Sequence, residues 1–153
     1  MTTPIHHLLR SVCRRPTLWL AAPVWLGLQA CANSAAPSPE AAKPLWGTEW
    51  QLQAIGAQPV MAQSLASLAF PEVGRAAGHG SCNRFSGAVA VKGDHLSFDN
   101  MVSTKMACPG EAMAQERSYL SALQKATRYE RQGDTLLIHA QGMAQPLRFS
   151  LRK

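Results

Sequence analysis

Cysteine and histidine are the residues through which this chain could most readily do chemistry, and their spacing sorts them. Cys13 and Cys31 fall in an N-terminal segment with the marks of export, which leaves Cys82 and Cys108 in the body of the chain. In an oxidising compartment two such cysteines pair as a disulfide. The loop of ~26 residues it would close is worth roughly 3–4 kcal/mol by the chain-entropy argument. A reduced structural pair and a metal site remain as other readings. His79 stands three residues before Cys82, and His95 and His139 are available, but neither cysteine belongs to a CxxC and no HxxxH occurs. A redox-active pair fits less well, because thiolate chemistry uses adjacent cysteines at a helix start, although Cys108 does precede a helical stretch. The chain has no GxSxG, no HExxH and no glycine-rich phosphate loop. His79, His95 and His139 read as surface or turn residues, and Glu116 as a solvated or capping residue on a helix. No catalytic residue, cofactor or metal is expected.

The first 31 residues explain the compartment. Arg10, Arg14 and Arg15 form a positive stretch, followed by the uncharged apolar run Leu18–Leu28. That run is too short to span a bilayer, which takes ~20 residues, and has the form of a secretory h-region. Leu28-Gln29-Ala30-Cys31 resembles the lipobox of bacterial lipoproteins, Gln29 being its one departure. The resemblance implies lipidation at Cys31, and several acyl chains make a stable anchor. A plain secretory signal cleaved near Ala30 is the other reading. Ala32, rather than Asp, after the cysteine points to an outer-membrane lipoprotein facing the periplasm. The general secretory route fits better than the twin-arginine route, because Pro16 and Thr17 suit the latter poorly.

Residues 32–44 (ANSAAPSPEAAKP) carry no large apolar side chain and read as a flexible tether. From Leu45 the pattern becomes that of one small domain, 45–153. Trp50, Leu52 and Ala54 alternate with glutamines as a half-buried strand. Ser67–Phe70 is a short strand, and Arg75–Ser81 a weak or bulged one. Phe85–Val91 and a return strand through Leu96 and Phe98 form a hairpin about Lys92–His95. Val102–Met106 continues the sheet after a break at Asp99-Asn100. Glu111–Lys125 reads as a helix behind Pro109-Gly110, with Ala112, Met113, Tyr119, Leu120 and Leu123 as its apolar stripe. Thr127–Arg131 and Leu136–His139 form a second hairpin, and Leu147, Phe149 and Leu151 alternate on a last strand. Strands around one helix indicate an α+β fold with a mostly antiparallel sheet. The formal charge of +6 is half carried by Arg10, Arg14 and Arg15. No basic stripe survives in the domain, so nucleic acid is not an expected partner.

Two stretches resemble a known family. Gly80-Ser81-Cys82-Asn83-Arg84-Phe85-Ser86-Gly87 is similar to the core motif of the META domain, which is also the domain of the HslJ heat-shock lipoproteins. Ser103-Thr104-Lys105-Met106-Ala107-Cys108-Pro109 is similar to its second motif. Gln115-Glu116 with Tyr119, Leu120 and Leu123, and Trp50-Gln51-Leu52 at the domain start, fit as well. Ser81 stands where many members have glycine. The resemblance covers Leu45 to Lys153 and implies a mostly antiparallel curled sheet packed around or against one main helix. It also implies an envelope location, with links to heat shock, motility or secretion, and no settled activity. By their types, Asn83 and Gly87 suit tight turns or positive φ, Phe85 and Met106 suit the core, and Cys82 with Cys108 would tie the hairpin to the helix base. Arg84 admits two readings: a salt bridge or carbonyl cap within the fold, or a contact to a partner or anionic group.

The function expected on these grounds is that of a non-enzymatic envelope lipoprotein. It would be anchored in the membrane at Cys31 and support outer-membrane integrity or stress tolerance through a protein or cell-wall partner. An inhibitor of an exogenous enzyme such as a lysozyme, or a metal or redox protein using Cys82 and Cys108, are the alternatives. The first reading expects no cleft that gathers a histidine or carboxylate with serine or cysteine.

Overall fold

The computed structural model describes residues 44–153. The export segment 1–31 with Cys31, and the tether up to its last residue, lie outside the described residues. The alternation read in the sequence becomes nine strands and one helix. The strands are β1 (Thr48–Ile55), β2 (Gln58–Pro59), β3 (Ser67–Phe70), β4 (Arg75–His79), β5 (Arg84–Lys92) and β6 (His95–Ser103), then β7 (Ala126–Gln132), β8 (Thr135–Ala140) and β9 (Leu147–Leu151); helix α1 (Gly110–Gln124) lies between β6 and β7. Inward positions carry the large apolar side chains. Trp50 and Leu52, Leu68 and Phe70, Leu136 and Ile138, and Leu147 and Phe149 are all buried, each pair two residues apart on one strand.

The sheet is mostly antiparallel, as expected, but it is a closed barrel rather than a curled sheet packed against the helix. Strand β1 pairs with β3 through Thr48–Gln51 and with β9 through Trp50–Ile55, both antiparallel. The order β1-β3-β4-β5-β6-β7-β8-β9 therefore returns to β1, an antiparallel barrel of eight strands, with the two-residue β2 hairpinned onto β1. Closure rests on the length of β1 and on a bulge between Leu52 and Ala54, where its register against β9 shifts. A closed barrel leaves fewer unpaired backbone groups at sheet edges than an open sheet does, its physical gain.

One seam is thin. Strands β6 and β7 pair only at His95 and Arg128, extended by the Tyr129 N–H donating to the Asp94 carbonyl at 2.9 Å. Helix α1 is the connection between these two strands, and it reaches the core from one end of the barrel. Its Tyr119 ring lies edge-on to Phe85 at 5.9 Å and tilted to Phe149 at 6.1 Å, and its hydroxyl donates to the Ser67 carbonyl at 3.2 Å. Burial pushes the Tyr119 phenol well above its ordinary range, so it stays a neutral donor.

The helix matches its expected span within one residue at each end, but its buried face differs. Glu116, Tyr119, Ala122 and Leu123 are buried, whereas Ala112 and Met113 are half-buried. A carboxylate therefore stands on the face expected to be apolar. Strand β6 also runs through the break expected at Asp99-Asn100. Asn100 takes a φ of 50° there, beside a register shift in β5 between Ser86 and Ala88, so the break is a bulge. Residues 104–109, read as sheet up to Met106, form an irregular segment instead.

Cys82 and Cys108 form a disulfide with Cα atoms 5.9 Å apart, joining the β4–β5 turn to the segment that leads into α1. The loop it closes spans 26 residues. Replacing both cysteines by alanine should lower unfolding stability by about 3.5 kcal/mol on the chain-entropy argument. Urea melts of the oxidised protein and the double variant measure this through their midpoints. Equal midpoints would show the crosslink to be without thermodynamic effect.

Candidate functional site

The two motifs meet at one end of the barrel, around Glu116. This side chain is 6% exposed and lies against the turn between β4 and β5. Its Oε2 accepts the backbone N–H of Cys82 at 3.0 Å and of Asn83 at 2.6 Å. Its Oε1 accepts the Asn83 side-chain amide at 2.8 Å. Three donors on one carboxylate supply what a buried charge requires, and hydrogen bonds to an ionised acceptor are the stronger kind.

Asn83 carries the network onward. Its Oδ1 accepts the Met106 backbone N–H at 2.7 Å and the Thr104 hydroxyl at 2.9 Å, which settles the orientation of the amide. The Thr104 hydroxyl in turn accepts the Arg84 backbone N–H at 3.2 Å. The Asn83 carbonyl accepts the Gly80 N–H at 2.7 Å and closes the turn. Gln115 fastens the other side: its Nε2 donates to Ser64 Oγ at 2.8 Å and Ser81 Oγ at 2.7 Å, and its Oε1 accepts from the Met61 N–H at 2.7 Å. Helix α1 is thereby pinned to the loop before β3, to the β4–β5 turn and to the second motif.

Each motif residue now has a place. Asn83 does not adopt a positive φ; the conformation falls on Ser81, with φ of 127°, and Asn83 serves by donating and accepting at once. Gly80 is required by contact, since a Cβ there would lie 2.6 Å from Glu116 Oε2. Gly87 likewise has no positive φ and is required by approach: a Cβ would stand 2.9 Å from the Asp99 carbonyl beside the bulge. Phe85 is buried, as expected, at 4% exposure. Met106 is not, at 55%, because its segment crosses the surface and contributes its N–H rather than its side chain. Pro109 is the N-cap of α1 and makes no side-chain capping bond. Both domain sulfurs are taken by the disulfide, and among the described residues no three of His, Cys, Asp or Glu are grouped as metal ligands.

Glu116 is the residue that sequence reasoning misjudged. The signal was its spacing. It stands three residues before Tyr119 and seven before Leu123, in the middle of the apolar stripe, where a carboxylate must be buried or the stripe interrupted.

The histidines separate. His95 sits at the β5–β6 hairpin, 3.9 Å from the Asp94 carboxylate. His139 is 3.0 Å from Glu130, whose carboxyl is held below its ordinary range first by a hydrogen bond from Arg128. His79 lies with Arg84 on the outer wall of the barrel. A groove of about 440 Å³ opens there, lined among others by Glu49, Gln51, Ser67, Ala77, His79 and Arg84. The expectation that no cleft gathers a histidine or carboxylate with serine is thus not met. Glu49, however, is ion-paired with Arg152, and no hydrogen bond joins Ser67 Oγ to His79. Among the described residues the Arg84 side chain makes neither a salt bridge nor a carbonyl cap; its backbone N–H donates to Thr104.

Two stability predictions follow from the turn. Glu116→Ala should lower stability by about 3 kcal/mol or more, since it strands three buried donors, and the isosteric Glu116→Gln by about 1–3 kcal/mol. Denaturant midpoints below 1 kcal/mol of effect for both would show the carboxylate to be dispensable. At Ser81 the glycine variant should be more stable than the alanine variant by about 1 kcal/mol, because both lose the hydroxyl and only glycine tolerates the backbone conformation. Equal melting of the two would mean that the backbone relaxes.

The fold has solved counterparts. A protein from Burkholderia xenovorans, solved by NMR, matches at 24% identity over 77% of this chain and 97% of its own, with a TM-score of 0.58. A second NMR structure matches at 21% identity over 68% of this chain and 88% of its own, with a TM-score of 0.55. At these identities the likeness is one of fold. No curated protein matches the sequence. The META domain family matches residues 43–153, which takes in every strand, the helix, both motifs and the carboxylate that joins them, and the chain belongs to that family.

Proposed function

We propose that this META domain is a non-catalytic binding module of the bacterial envelope. It is held at the outer membrane by lipid on Cys31 and supports envelope integrity or stress tolerance by engaging a protein or cell-wall partner. The observation that carries the reading is the use made of the polar motif residues. Glu116, Asn83 and Thr104 bond to one another and to the backbone of both motifs, so their capacity is committed to holding the turn. A general acid or base needs a proton it can exchange with a bound group, and a nucleophile needs a base in hydrogen-bond reach. In the groove no hydrogen bond joins Ser67 Oγ to His79, whose Nδ1 accepts the Ser81 N–H instead, and Glu49 is tied to Arg152. The reading of the location is supported by the positive stretch, the short apolar run and the resemblance to a lipobox ending at Cys31.

Mass spectrometry of the mature protein should find an acylated N-terminal Cys31, and Cys31→Ser should move the protein from the membrane to the soluble fraction. A mature chain that begins elsewhere without acyl mass defeats the anchoring. Incubated with envelope extract, the protein should retain a component whose covalent mass is unchanged on release. Cleavage or modification of that component would instead establish an enzyme.

A further inference from the structure

Four outward residues form a row across the barrel wall. Gln51 of β1 stands opposite Ser67 of β3, Ser67 opposite His79 of β4, and His79 opposite Arg84 of β5. The groove of about 440 Å³ lies over this row, a volume in the range of small-molecule sites. The small residues Ser67, Ala77 and Gly78 line it together with Leu65, which is 65% exposed.

The hydrogen-bonding capacity around the groove is unbalanced. Gln51 Nε2 donates to the Ser64 and Ala66 carbonyls, each at 2.9 Å, so both its hydrogens are used. The Glu49 carboxylate is taken by Arg152. His79 Nδ1 accepts the Ser81 N–H at 3.3 Å, which places the ring proton of the neutral form on Nε2 and leaves that N–H as a donor. The Arg84 guanidinium has no side-chain partner among the described residues. Two donors, one of them a full positive charge, thus stand on neighbouring strands with no hydrogen bond to an acceptor among the described residues. Both are placed by the turn that Glu116 and the disulfide hold, since His79 and Arg84 flank residues 80–83. A guanidinium beside a second N–H donor is a fork for an oxyanion.

We propose that this groove is a binding site for an oxyanion, a carboxylate or a phosphate, carried on a short apolar group. The oxyanion accepts from Arg84 and His79 Nε2, and the apolar group lies along Ala77 and Leu65. The inference rests on the reading of the domain as a binding module and names the site and ligand chemistry of that module.

The test is an NMR titration of the full-length protein, labelled with ¹⁵N, with hexanoate, hexyl phosphate and hexanol. Saturable shifts of the Arg84 Nε and His79 ring signals are expected with one or both anions and not with hexanol. The stronger of the two anions identifies whether the natural group is a carboxylate or a phosphate. Arg84→Gln should weaken that binding about tenfold or more, the loss of a charge-assisted bond, and Lys105→Gln should leave it unchanged. Arg84 is exposed and its side chain holds nothing in the fold, so the variant should fold, with melting unchanged as the check. Shifts spread evenly over the surface arginines, or no saturation with either anion, overturn the proposal. If an envelope component is still retained, undiminished by Arg84→Gln, the groove is refuted while the binding role stands.

Discussion

The constraint on which the rest of this structure depends is the burial of one carboxylate. Glu116 lies on the inner face of the helix, and an ion in that position is tolerated only where donors replace the water it has lost. The fold supplies them from a turn remote in sequence: two backbone N–H groups and one amide from Cys82 and Asn83. A helix side chain is therefore tied to the conformation of the β4–β5 connection. Ser81, just before the two donor residues, takes a φ that favours glycine, and a Cβ on Gly80 would collide with the carboxylate.

The same node explains why a barrel with one thin seam holds together. The pairing of β6 with β7 is short, and the chain between them is the helix itself. Fastening that helix at Glu116, Gln115 and Tyr119 ties the seam to β3, to the β4–β5 turn and to the core. The disulfide works in the same place by another mechanism. It restricts the unfolded chain, whereas the carboxylate network acts in the folded state. In a domain of this size a crosslink and a satisfied polar network supplement a core of limited volume.

The motif residues divide by where their side chains go. Cys82, Asn83, Phe85 and Thr104 face inward or bond to one another, and they build the turn. Arg84 faces outward and builds nothing, yet the turn sets its position beside His79. One short segment thus serves as scaffold on one side and presents unused donors on the other. For the ligand proposed above, a supported strand end beneath the charged group would lower the ordering required on binding.

How much of this was legible in the sequence depends on the range over which each cause acts. The strands were legible, because alternation with a period of two is a local consequence of the pleat. The helix was legible, because Pro109 and Glu111 mark its start and the apolar spacing marks its face. The META likeness and the pairing of Cys82 with Cys108 were legible from residue types in order. Closure of the barrel was not, because β1 shows no local sign that it will bind two neighbours; that follows from sheet twist and the bulge at Leu52–Ala54. The roles of Glu116 and Met106 were not, because a carboxylate's solvation and a methionine's exposure are set by groups tens of residues away. Composition and local periodicity determined which elements form and which cysteines meet. Only the tertiary structure decided that a charged residue would be the centre of the fold, since a buried charge is stable only when distant donors converge on it.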